Sequence, residues 1–171
     1  MQTSIQTSVI TWSMKGAPDS GYLHRNTPAT GEACRENASK MLPTILLADD
    51  QQEMLDTAAL ILEDDFKIVG TAVTGMNAIE LVMQLAPDAV VLDISMPGLS
   101  GIETATRLRD AGCGSRVIFF TIHDDADFVR AALSTGALGY VLKPALATDL
   151  VPAVWAALQG NIYISRSVHL Q

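Results

Sequence analysis

From residue 41 onward the apolar positions fall into two alternating patterns. Short, nearly unbroken apolar runs occur at Thr44–Ala48, Lys67–Ala72, Ala89–Leu92, Arg116–Thr121 and Gly139–Leu142. A strand with one wet face alternates apolar and polar residues, whereas these runs do not, so they read as strands buried on both faces of a parallel sheet. Between them lie amphipathic stretches near Gln52–Glu63, Met76–Leu85, Ile102–Asp110, Asp125–Ser134 and Thr148–Gln159. In the first, Leu55, Ala58, Ala59 and Leu62 recur at three- and four-residue spacing and form one apolar face. Pro87 and Asp88 close the second helix, Gly112 and Gly114 the third, Gly136 the fourth. Pro152 reads as lying close to the start of the last helix, where a missing N–H costs least. Five βα repeats in this order predict an α/β fold, an open (βα)5, doubly wound, five-stranded parallel sheet.

The first 40 residues differ in kind. They are rich in Ser, Thr, Gly, Asn and Pro, carry turn-type stretches such as GAPDSG and NTPATG, and show no periodicity. They read as a disordered segment 1–40 preceding a domain 41–160 and a short tail 161–171. Met41 is either an alternative start or the first residue after a genuine leader. The first residues, MQTSIQTSVITWSMKG, lack the apolar core of a secretory signal, and no run is long enough to span a membrane. Nineteen acidic against eleven basic residues give a net charge of −8, which argues against direct nucleic-acid binding. Cys34 and Cys113 lie far apart with no CxxC pair and read as reduced thiols of a cytoplasmic protein.

Candidate chemistry gathers at the carboxyl ends of the strands, where open α/β sheets form their sites. The first strand ends in Asp49 and Asp50, the third in Asp93, the fourth in Thr121 and the fifth in Lys143. One acid after a strand is ordinarily a turn former or helix cap; four such ends together call for another account. Three clustered carboxylates repel one another, and a cation or a proton must relieve the repulsion. Mg²⁺ suits an all-oxygen set. Zinc does not, because His24, His123 and His169 are isolated and the cysteines form no pair. With a metal in place one carboxylate can attack a phosphoryl donor. Asp93 is the best nucleophile, since it ends the central strand and precedes the loop ISMPGLSG, with Asp49 and Asp50 holding the metal. Lys143 would neutralise the added charge and Thr121 would donate a hydrogen bond to a phosphoryl oxygen.

The stretches ILLADDQQ, VVLDISMPGLSGIE, VIFFTIHDDADFVRAALSTGALGYVLKPA and GNIYIS resemble, in order and spacing, the receiver (CheY-like) domain of two-component response regulators. They are most similar to the receiver halves of LuxR-type helix-turn-helix regulators. The resemblance implies a flavodoxin-like fold and a phosphorelay protein whose phosphoryl group comes from a sensor histidine kinase or a phosphotransfer protein. It implies that Asp93 is the phosphoacceptor, that Asp50 binds Mg²⁺ directly and Asp49 through water, and that Ser95 offers its backbone carbonyl. Thr121 and Tyr140 match the family's switch pair, in which the hydroxyl moves to the phosphoryl group and the ring turns inward. Tyr140 also has a plain reading as a strand aromatic with a wet hydroxyl. Lys143 with Pro144 matches the family's Lys-Pro step, and the bond between them is expected to be cis, given an X-Pro trans preference of only about 0.5–1 kcal/mol. Ser95 and His123, each two residues past a key position, should border the path of attacking water. His123 is expected to shield that path, against the alternatives of guiding a water or merely decorating the start of a helix.

The output surface implied is the face of the fourth helix, fifth strand and fifth helix, used for protein docking or homodimerisation; it includes Ala131–Leu142, whose apolar residues read mainly as core. Only RSVHLQ follows GNIYIS, so the sequence reads either as a single-domain regulator or as the receiver half of a cut transcriptional regulator. An enzyme is disfavoured, because phosphatases of the haloacid dehalogenase class need an acid two residues after the nucleophile and Ser95 and Gln52 stand there. An FMN carrier is disfavoured too, because ADDQQE would repel the phosphate. A degenerate receiver used only for docking would have lost acidic-pocket residues, which are all kept.

Overall fold

Along each central strand successive side chains point to opposite faces, and here both faces are dry. Ile45 and Leu47, Ala89 and Val91, Ile118 and Phe120, and Val141 pack on one side. Leu46 and Ala48, Val90 and Leu92, Phe119, and Tyr140 and Leu142 pack on the other. This double burial is why the runs lack polar alternation.

The computed structural model describes residues 41–168. The expected disordered leader, and with it His24, Cys34 and His169, lies outside the described residues. The elements are β1 Thr44–Ala48, α1 Gln52–Leu62, β2 Lys67–Ala72, α2 Gly75–Leu85, β3 Ala89–Leu92, α3 Gly101–Asp110, β4 Arg116–Thr121, α4 Ala126–Ser134, β5 Gly139–Leu142, a 3₁₀ turn Lys143–Ala145, α5 Leu146–Leu158 and β6 Tyr163–Ile164. All pairings are parallel, in the order β2-β1-β3-β4-β5-β6. Residues of α1 and α5 complete one core, and those of α2, α3 and α4 the other.

Helix starts follow local chemistry. Thr74 caps α2 through Asn77 N, Ser100 and Glu103 form a reciprocal capping box at α3, and Asp125 caps α4 through Asp127 N and Phe128 N. The tight return from β3 to α3 depends on Gly101, where an added Cβ would stand 2.0 Å from the Asp93 carbonyl oxygen.

Three expectations are corrected. The sheet has six strands, not five: Gly160, at φ 81°, turns the chain out of α5 and Tyr163–Ile164 pairs with β5 inside the stretch read as a tail. Two paired residues are too few to leave a period in the sequence. Pro152 lies inside α5, as its seventh residue, because the helix starts at Leu146, directly after the 3₁₀ turn. A proline there costs a helix about 3 kcal/mol, offset by burial of Leu150, Ala153, Val154 and Ala157. Finally, no peptide bond among the described residues is cis, so Lys143–Pro144 is trans. The 3₁₀ turn, with proline in its first turn, redirects the chain without isomerisation.

Candidate functional site

The strand order reverses between β1 and β3, and the crevice beyond their carboxyl ends is where such sheets bind ligands. Asp49 and Asp50 follow β1 and Asp93 follows β3. The ladder continues one residue past both strands, with Asp49 N donating to Ala72 O at 3.1 Å and Asp93 N to Ala48 O at 2.8 Å. Both acidic residues are thereby fixed from the backbone. Asp49 Oδ1 accepts Gln51 N at 2.9 Å, which turns the chain toward α1.

Lys143 enters from the end of β5. Its Nζ lies 2.6 Å from Asp49 Oδ2 and 3.2 Å from Asp93 Oδ2, and 5.4 Å from the centre of the Phe120 ring. Asp49 and Asp93 are each 2% exposed, whereas Asp50 is exposed. One oxygen from each of Asp49, Asp50 and Asp93 falls within 4.8 Å of the others. Two carboxylates at that separation repel by about 3 kcal/mol at an effective dielectric of about 20. A single ammonium does not balance three carboxylates, and Asp93 Oδ1 is buried without a hydrogen-bond partner. Burial pushes the Asp93 carboxyl above the ordinary carboxylate range; Lys143 opposes that rise and Asp49 adds to it. Burial works against the charge on Lys143, but hydrogen bonding to Asp49 and the two carboxylate charges outweigh it and hold the ammonium more firmly than usual.

An orphaned carboxylate oxygen, an all-oxygen donor set and uncompensated negative charge fit a hard divalent cation such as Mg²⁺. They do not fit a soft metal, since no cysteine or histidine belongs to the set.

Thr121, fully buried at the end of β4, accepts His123 N on its Oγ1 at 3.3 Å, which leaves its own proton uncommitted. The ring of Tyr140 is fully buried and its hydroxyl donates to the His123 carbonyl at 2.8 Å, so the wet-hydroxyl reading does not hold. Burial, with the charges of Asp125 and Asp124, pushes the phenol well above its usual value. Ser95 is exposed, and its Oγ lies 2.8 Å from His123 Nε2. The imidazole stacks on Phe128, with ring centres 3.9 Å apart. His123 does not cap α4, a task held by Asp125.

The structure thus brings Asp49, Asp50, Asp93 and Lys143 to one crevice and joins Ser95, Thr121 and Tyr140 through His123. Sequence reasoning missed Phe128, whose spacing in α4 reads as ordinary core, and Gly101, whose role shows only in the space it leaves.

A parallel sheet with an acidic crevice faced by one lysine at the carboxyl ends of its strands defines a class of α/β domain with room for a hard cation at that end. Residues 45–155 match the family described as the response regulator receiver domain. The nitrate/nitrite response regulator protein NarL of Escherichia coli (strain K12) is 37% identical over 128 residues, 73% of this chain and 59% of NarL. The transcriptional regulatory protein DesR of Bacillus subtilis (strain 168) is 35% identical over 120 residues, 69% of this chain and 59% of DesR. A crystal structure of a LuxR-family two-component response regulator from Aurantimonas sp. SI85-9A1 superposes with a TM-score of 0.71 at 30% identity, covering 74% of this chain and 92% of that one. The chain belongs to the response regulator receiver domain family of two-component systems. Its match spans 59% of the length of these two curated relatives. No helix among the described residues is long and apolar enough to cross a membrane.

Proposed function

We propose that this chain is a Mg²⁺-dependent switch phosphorylated on Asp93 by a sensor histidine kinase or a phosphotransfer protein. The observation that carries the reading is the meeting of Asp49, Asp50, Asp93 and Lys143 at the ends of three different strands. In the transfer, a carboxylate oxygen of Asp93 bonds to phosphorus. The bond from phosphorus to the donor's imidazole nitrogen breaks, its electron pair stays on that nitrogen, and a proton from solvent neutralises the leaving imidazole. Asp49, Asp50, Asp93 and the Ser95 carbonyl would hold Mg²⁺, which supplies neutralising charge for the phosphoryl oxygens. Lys143 remains beside the new group as its fixed cation. The uncommitted Thr121 proton then has an acceptor in a phosphoryl oxygen, and a moving Thr121 pulls on the His123 N–H that it accepts, and so on the carbonyl that holds Tyr140.

The signal is read on the face of α4, β5 and α5 by a partner protein or a second copy of the chain, in the cytoplasm, where the family works. Because β6 covers β5, a partner on this face meets helices and β6 instead of an open β5 edge. A second reading, that this is the receiver half of a longer transcriptional regulator, is favoured by the partial span of the matched relatives. Direct nucleic-acid binding by the described domain is not part of either reading.

Incubation with acetyl phosphate tests the proposal. One phosphoryl adduct should form with Mg²⁺ and disappear with a chelator. Equal labelling in both would refute metal-dependent chemistry at this site. Exposed Ser95 and half-buried His123 would set how fast water removes the group, and His123→Ala should shorten its lifetime. A longer lifetime would replace shielding by water guidance.

A further inference from the structure

Phe128 is the third residue of α4, half-buried, with its N–H donated to the capping carboxylate of Asp125. Its ring lies nearly parallel to the His123 imidazole, at an interplanar angle of 11° and a centre separation of 3.9 Å. His123 carries three further contacts, through Nε2 to Ser95 Oγ, through its N–H to Thr121 Oγ1 and through its carbonyl to the Tyr140 hydroxyl. A loop imidazole without the stack would have several open rotamers. Here one face of the ring meets a planar aromatic and its Nε2 edge meets a hydroxyl 2.8 Å away, and both contacts restrict its rotamers. The Ser95–His123 pair bridges the loop after β3 to the loop after β4, beside Asp93 and Thr121. The aromatic residue stacked on that bridge belongs to the helix, not to either loop.

We propose that Phe128 is a positioning residue for turnover of the Asp93 phosphoryl group. It braces His123 against Ser95 at the mouth of the crevice, so the seating of α4 sets how easily water reaches the phosphorus. The inference rests on the reading of Asp93 as phosphoacceptor. Hydrolysis itself is a water attack on phosphorus that breaks the phosphorus bond to the Asp93 oxygen and releases inorganic phosphate. Phe128 touches none of these atoms and acts only through the imidazole.

The test measures decay of the acetyl phosphate adduct at fixed Mg²⁺ in the full chain. Phe128→Leu keeps an apolar side chain of similar bulk but removes the planar stack, and should speed decay about two- to tenfold, the rate equivalent of one aromatic contact. Phe128→Tyr keeps the ring and should restore the slower rate. In a His123→Ala background Phe128→Leu should add nothing, because the residue it braces is gone. Decay of Phe128→Leu at the parent rate, failure of Phe128→Tyr to restore it, or the same acceleration without His123 would each overturn the brace. A chain that forms no adduct at all would instead overturn the phosphoacceptor reading, and the brace with it.

Discussion

Asp93 is where this sequence accepts an energetic cost. Its carboxyl is buried, one oxygen lacks a partner and its proton affinity is raised, chiefly by burial. A folded pKa above the unfolded one means that the stability linked to the proton is present below the unfolded value and lost as pH rises through the folded value. Above that folded value the metal-free fold therefore carries an unfavourable charge. Asp93→Asn should raise the melting temperature of the metal-free protein by about 3–5 °C, the shift that about 1 kcal/mol produces in a domain of this size. The gain should shrink on acidification as the parent carboxyl protonates; a gain independent of pH would contradict this account. Much of the site is legible in the sequence because its acids and lysine sit at strand ends, where topology alone brings them together. The links through His123 are not legible, since they run through a backbone carbonyl, a backbone N–H and a ring stack that leave no spacing rule. The trans Lys143–Pro144 bond was likewise hidden, because the 3₁₀ turn that makes isomerisation unnecessary has no signature of its own.

Among the elements, β6 shows how the end of the domain is fastened. Ser165 N donates to Tyr140 O at 2.9 Å, Leu142 N donates to Ser165 Oγ at 3.2 Å, and Ser165 Oγ donates to Asp149 Oδ2 at 2.6 Å. One buried serine thus ties the segment after α5 to the strand that carries Tyr140 and leads into Lys143. Ser165→Ala should cost about 1–3 kcal/mol, since it leaves the Leu142 N–H buried without an acceptor; urea denaturation measures it, and no change would exclude the clamp. The Ser165 hydroxyl is also the main cause that holds the Asp149 carboxyl below its ordinary value. Stability from a depressed carboxyl is present above the unfolded pKa and lost as pH falls through the folded one. Ser165→Ala should therefore flatten the acid limb of the stability profile. The long strands and helices were readable from runs and periods several residues long, whereas a two-residue strand and a helix that begins straight off a 3₁₀ turn were not. At the β3–α3 return, Gly101→Ala should destabilise strongly or displace the loop, because its Cβ would meet the backbone of Asp93.

For the whole molecule, net charge bears on the proposed metal binding. The chain carries −8 overall, with three carboxylates facing one crevice. A cation that binds only the folded state stabilises it by mass action, by about 2.7 kcal/mol at one hundred times its Kd. Melting temperature should rise with Mg²⁺, and Asp50→Ala should remove most of that rise; an undiminished response in the variant would place the ion elsewhere. With both faces of the sheet covered and β5 paired on either side, the proposed output surface is made of helices and β6. In the proposed function one carboxylate, Asp93, accepts the phosphoryl group. Intact-mass analysis of the parent and of Asp93→Asn after acetyl phosphate treatment with Mg²⁺ distinguishes that site from any other. A single adduct on the parent and none on the variant is the expected result, and a full-strength adduct on Asp93→Asn would contradict it.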